Sequence, residues 1–165
     1  MKITSQEEYG LRVLLRIAKC RERDGMTIQA LSFAEGLSTP YVAKLTRMLR
    51  MAGYINSTPG NKGGYILSRP AAQININEAL KILGGSLFEK AFCEDYSGIL
   101  KFCTNSVDCS IRSLWQMVQI TIDNLLDKIT LEDLIGSEMN ADQLINTIIE
   151  QNIKTFMAGN GKINT

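Results

Sequence analysis

The chain has no histidine among its 165 residues. That absence removes the most common general base, the usual nitrogen ligand of zinc, and the side chain that titrates nearest neutral pH. It also disfavours nucleophilic cysteine catalysis, where an adjacent imidazole normally activates the thiol. No glycine-rich phosphate loop follows a strand, and no carboxylate pair has a catalytic arrangement. These gaps point away from an enzyme. Long apolar runs are missing too. Stretches such as "VLL" and "LLRIA" are short and cut by arginine, far below the length of a membrane span. The opening "MKITSQEEYG" lacks the apolar stretch of a secretion signal. A cytoplasmic location with no membrane partner is therefore expected, and in that compartment thiols stay reduced. Paired Cys-x-x-Cys knuckles are absent, so zinc-finger geometry has little support.

What is present is an ordinary globular mixture, 45% hydrophobic and 21% charged. Its net charge of +1 conceals an asymmetry. Residues 1–70 hold 11 Lys/Arg against 5 Asp/Glu, a net +6, and the remainder holds 7 against 12, a net −5. A basic first half joined to an acidic second half is the pattern of a nucleic-acid-facing module with an appended region.

The first half has the architecture that charge requires. "TSQEEYGLRVLLRIAKC" opens with a capping box, Thr4 and Glu7, and continues as a helix apolar on most sides. Arg12, Arg16 and Lys19 share one stripe of it. After "RERDG", a second helix starts at Thr27 and closes near Gly36. "STPYVAKLTRMLRMAG" follows almost without a linker. Ser38 or Thr39 caps it, Pro40 suits its first turn, and Gly53 stops it. Val42, Leu45, Met48 and Leu49 form its core-facing stripe, and Lys44, Arg47 and Arg50 lie on the other face. This is a helix-turn-helix with a basic second helix. "YINS" and "YILS", flanking a loop rich in Pro, Gly, Asn and Lys, read as a β-hairpin wing. Ser38, Thr39, Tyr41 and Lys44 are the candidates for base edges or phosphates in a major groove, with Arg47 at a phosphate. Lys62 at the wing tip is placed to meet a phosphate or a minor groove.

The second half supplies a short helix near "ININEALKILGG" and then a polar stretch carrying three of the four cysteines, "CEDYSGILKFCTNSVDCSIRSLW". From Ser110 a long amphipathic helix shows Ile111, Leu114, Trp115, Val118, Ile122, Leu125, Leu126 and Ile129 at helical spacing. A small winged helix cannot cover so broad an apolar face, so the same helix of a second chain is the expected cover, in a two-fold homodimer. A short capped helix from Thr130 and a packed tail helix around Leu144, Ile145, Ile148, Ile149 and Ile153 complete the chain, with "AGNGKINT" expected to fray.

The resulting fold class is mostly α with a small β-hairpin wing: a winged helix-turn-helix plus a long dimerisation helix. Residues 1–70 form the winged helix-turn-helix and 71–109 a connecting helix and cysteine loop. Residues 110–136 form the dimerisation helix with its short successor, and 137–165 a helical tail.

Three thiols spaced C-x9-C-x5-C in a reducing compartment fit metal ligation or redox chemistry better than a structural disulfide. Soft thiolates on a loop suit an iron–sulfur cluster. Cys20, at the end of the first helix, reads as a buried small apolar residue.

At this point the chain resembles the Rrf-two family of bacterial winged-helix regulators. The resemblance runs from residue 1 to about 135. It is carried by "MKIT…EYGLRVLLRIA", "LSTPYVAKLTRMLRMAGYI", "GNKGGYILSRP" and "C…C…DCSIRSLW" in that order. It implies a dimeric transcription regulator, a repressor in the first instance, that binds a double-stranded DNA operator. It also implies sensing of redox, nitric oxide or iron–sulfur status through a 2Fe-2S or 4Fe-4S cluster on the three-cysteine loop. Two departures bear on the ligands. IscR-like members carry a histidine three residues after the third cysteine, where this chain has Arg112, and the first cysteine gap is longer than usual. NsrR-like members use an acidic residue at the start of the first helix, donated by the other subunit, and the matching position is Glu8. The implied ligand set is Cys93, Cys103 and Cys109 with Glu8 of the partner subunit. The competing reading of Glu8 is an ordinary i,i+4 ion pair with Arg12. The competing functions are a cluster-free thiol-redox or small-ligand regulator and a winged helix used for protein contacts.

Overall fold

The computed structural model describes residues 3–59, 63–89, 91–95, 99 and 102–160, the last five by backbone alone. Helix α1 (Ser5–Lys19) begins with the capping box: the Thr4 hydroxyl accepts from the Glu7 amide, and the Glu7 carboxylate accepts from the Thr4 amide at 2.8 Å. Helix α2 (Ile28–Glu35) is capped by the Thr27 side chain and ends on Gly36 in the left-handed region. Helix α3 (Thr39–Met51) starts at Ser38, with proline in its first turn. The expected Ser38 or Thr39 cap is present in backbone shape only, because no side-chain cap bond forms.

Strands β1 (Ile55–Ser57) and β2 (Tyr65–Leu67) pair antiparallel, with Ile55 opposite Leu67 and Ser57 opposite Tyr65. The other edge of β2 is also held. The Tyr65 amide donates to the Met26 carbonyl at 2.8 Å, and the Met26 amide returns the bond at 3.1 Å. At this junction two glycine backbones cross. A Cβ on Gly25 would meet the Tyr65 carbonyl oxygen at 2.2 Å, and one on Gly64 would meet the Asp24 carbonyl oxygen at 2.2 Å. Only glycine fits at either point. The root of the wing is thus fastened to the loop before α2 by main chain.

Helix α4 (Ile76–Gly84) is capped by Asn75, whose side chain accepts from the Glu78 amide. Helix α5 (Phe92–Asp95) is a single turn within the cysteine stretch. Helix α6 (Ser110–Leu126) is the long amphipathic helix, and α7 (Glu138–Asn160) is the tail. The expected short helix after Thr130 is a 3-10 turn, Glu132–Leu134, whose start is fixed by the Thr130 amide and hydroxyl donating to Asp133. The tail was expected to fray from Ala158, but helical backbone continues through Asn160.

One core unites these pieces. Val13, Leu14, Leu31, Val42, Leu45, Leu49, Ile55, Ile74 and Leu131 are fully shielded from solvent, and Leu83 and Ile148 join the same cluster. Thr46 is buried where Met48 was expected: its hydroxyl donates to the Val42 carbonyl at 3.0 Å, while Met48 is half-buried. Cys20 is half-buried rather than buried, because it stands at the C-terminal cap of α1 where the chain turns outward. Among the described residues, no helix is long and apolar enough to cross a membrane.

Candidate nucleic-acid interface and cysteine segment

The start of α3 presents Ser38 and Thr39 exposed and Tyr41 half-buried, with Lys44 and Arg47 exposed further along. Among the described residues, no carboxylate pairs with Lys44 or Arg47, so both charges are available. Between this helix and the wing lies a cleft of about 440 Å³ lined by Gln29, Thr39, Pro40, Ala43, Thr58 and Tyr65. Lys62 lies outside the described residues. Gln29 and Thr58 escaped the sequence reading because the cleft forms only when the loop before α2 meets the wing.

Behind this surface is a constellation that the sequence did not reveal. Glu35, at the end of α2, is buried, with its side chain 3% exposed. Arg12 donates from Nε to one carboxylate oxygen at 2.8 Å, and Arg16 donates from Nε to the other at 2.7 Å. The Arg12 guanidinium also lies over the Tyr9 ring, 5.5 Å from its centroid, and Tyr9 meets Tyr41 edge-on at 6.2 Å. The competing reading of Glu8, an i,i+4 pair with Arg12, does not form among the described residues, because the buried carboxylate offers Arg12 a better-shielded partner. Glu8 is exposed and makes no side-chain ion pair among the described residues. One signal was available: Glu35 is the only acidic residue between Asp24 and Glu78.

The cysteine segment departs from a bare loop. Cys93 sits in α5, Cys103 at a turn, and Cys109 is the N-cap of α6. All three are free thiols of intermediate burial. The Cys109 sulfur accepts from the Arg112 amide at 3.3 Å, at a helix start where negative charge is favoured. Arg112 Nη2 donates to the carbonyls of Asn105 and Ser106 at 2.9 and 2.8 Å, pinning the turn between Cys103 and Cys109. The segment's leading end is held as well. The Phe88 amide donates to Gln119 Oε1 at 2.9 Å, and Gln119 Nε2 donates to Asp123, which pairs with Lys81 of α4 at 2.9 Å. Burial works to raise the Asp123 carboxyl. Hydrogen bonds from Lys81, Asn77 and Gln119 outweigh it and hold the group below the usual carboxylate range.

Among the described residues, no group of three His, Cys, Asp or Glu side chains stands ready to hold a metal ion within one chain. By donor chemistry, three free thiols and an unpaired carboxylate fit iron in a thiolate-rich cluster.

The profile of Rrf2, described as an iron-dependent transcriptional regulator, matches residues 3–137. The chain belongs to the Rrf2 family. It is a DNA-binding transcription regulator. The Rrf2 protein of Nitratidesulfovibrio vulgaris is 32% identical over 135 residues, covering 82% of this chain and 87% of that one. The structure of T. potens IscR superposes with a TM-score of 0.63 at 29% identity, covering 82% of this chain and 86% of that one. CymR, the global cysteine regulator of B. subtilis, also gives 0.63, at 28% identity, covering 82% of this chain and 96% of that one.

Proposed function

We propose that this Rrf2 protein acts as a homodimeric operator-binding regulator, in the first instance a repressor. Its sensor is an iron–sulfur cluster, 2Fe-2S or 4Fe-4S, held by Cys93, Cys103 and Cys109 with Glu8 of the partner subunit. Ser38, Thr39, Tyr41, Lys44 and Arg47, with Lys62 of the wing, contact the operator. Such a cluster, when bound, supplies reactivity toward oxygen, nitric oxide or electrons. The observation that carries the reading is Cys109 at the N-cap of α6. The third thiol is part of the helix that would pair the two chains, so what holds the sulfur also orients that helix. The apolar face of α6 supports the dimer: Ile111, Leu114 and Trp115 are 44–63% exposed on their own chain. The free state of Glu8 supports its role as a donor to a neighbour.

The test is protein purified without oxygen, examined by visible absorption with iron and acid-labile sulfide assays. Brown protein containing both elements is expected, with Glu8→Ala altering the spectrum or hastening bleaching. An unchanged spectrum and lifetime in that variant would remove Glu8 from the ligand set. A second reading is a cluster-free thiol switch. It is favoured by three thiols that are half-exposed and not gathered around a centre, and by the likeness to a cysteine regulator. Colourless protein that still binds duplex DNA, and that cannot be loaded with iron and sulfide, decides for it.

A further inference from the structure

We infer that Arg12 and Arg16, which flank the buried Glu35, form a second phosphate-binding site for duplex DNA on α1. The proposal rests on the DNA-binding role of the family and is independent of any cluster.

Both arginines face one carboxylate, so two positive charges meet one negative charge and the cluster keeps a surplus of +1. The carboxylate is the buried member, while the arginine side chains are 46% and 45% exposed. Each arginine reaches Glu35 through Nε. Beyond the Tyr9 ring, no other partner meets either guanidinium among the described residues. Guanidinium groups are rigid forks, and a fork held at one edge presents its remaining donors in a fixed direction. That is the geometry that suits phosphate oxygens.

Position favours the same ligand. Arg12 lies on Tyr9, and Tyr9 abuts Tyr41 in the first turn of the recognition helix. Arg12 therefore adjoins the end of α3 that a helix-turn-helix directs into the major groove, where the flanking phosphate backbone runs, and Arg16 shares its carboxylate anchor. Competing negative charge is sparse: on α1 the exposed Glu8 stands one turn before Arg12. Glu35 is the only acidic residue from Gly25 to Asn77, and the two arginines neutralise it. An alternative role, simply fastening α2 to α1, uses the same ion pairs but leaves no contact with DNA.

Fluorescence anisotropy with a mixed-sequence duplex, titrated from low to moderate salt, separates the two roles. Each phosphate contact contributes about 0.9 to the slope of log K against log salt. Arg16→Gln is expected to flatten the slope by about that amount and to weaken binding most at low salt. Arg12→Gln should do the same independently. Glu35→Gln keeps both cations, so its slope should stay at the wild-type value even if its melting temperature falls. Wild-type slopes in folded Arg12→Gln and Arg16→Gln proteins overturn the proposal. So does a slope in Glu35→Gln that falls as far as in the arginine variants, because fastening alone would then explain all three.

Discussion

Helices α3 and α6 are of similar length, 13 and 17 residues, and both carry a regular apolar stripe. Yet α3 buries Val42, Leu45, Thr46 and Leu49, while α6 has no buried residue on its own chain. The difference lies in what each helix is packed against. Helix α3 sits among α1, α2, β1 and α4, whereas among the described residues the main helical neighbours of α6 are α4 and α7. Helices of this size draw most of their stability from packing rather than from propensity. The reading half of the molecule is therefore complete within one chain. The long helix carries apolar surface that only another surface can cover, each fully buried Leu or Ile side chain contributing about 1.5–3 kcal/mol.

Three changes bear on this contrast. The largest effect is expected from Leu45→Ala. Its side chain is fully shielded, so the loss of contacts and the cavity left behind should cost about 2–5 kcal/mol in denaturant unfolding. A much smaller loss would mean that the helix-turn-helix core is looser than its burial implies. Next comes Trp115→Glu on the open face of α6. It should weaken dimerisation by about 30-fold, equivalent to about 2 kcal/mol at an interface anchor, as read by sedimentation equilibrium. Sedimentation identical to wild type at every concentration would sink the assignment of that face. The smallest effect is on acid stability. The folded Asp123 carboxyl lies below its ordinary value of about 3.9. Its contribution is fully present above that value and lost as pH falls through the lower folded one. Asp123→Asn should remove that part of the acid sensitivity, seen as a shallower fall of melting temperature below pH 4.

The same contrast explains what could be read from the sequence. Thr4 with Glu7 and Thr27 with Gly36 are local signals acting over a few residues, and each marks an element boundary that the structure has. The hairpin followed from its glycine-rich loop. Pairings across the fold were not legible. Arg12 and Glu35 are 23 residues apart, and Phe88 and Gln119 are 31 apart, so no short-range pattern encodes either. Glu8 was given Arg12 as its neighbour on helical spacing alone, and the buried carboxylate of another helix took that partner away. The cysteines were legible as chemistry. Their placement was not, because Cys109 owes its position to the start of α6 and the turn before it to Arg112.

The crossing of Gly25 and Gly64 at the root of the wing has a mechanical consequence. Main chain lies directly on main chain there, with no side chain to compress or rotate, so the root of the hairpin moves together with the loop that leads into the helix-turn-helix. A signal arriving from elsewhere cannot adjust one reader without carrying the other. Like a key cut from a single blank, the pair can be advanced, turned or withdrawn, but its profile stays the same. The wing root and the loop before α2 then present themselves to any partner as one rigid piece.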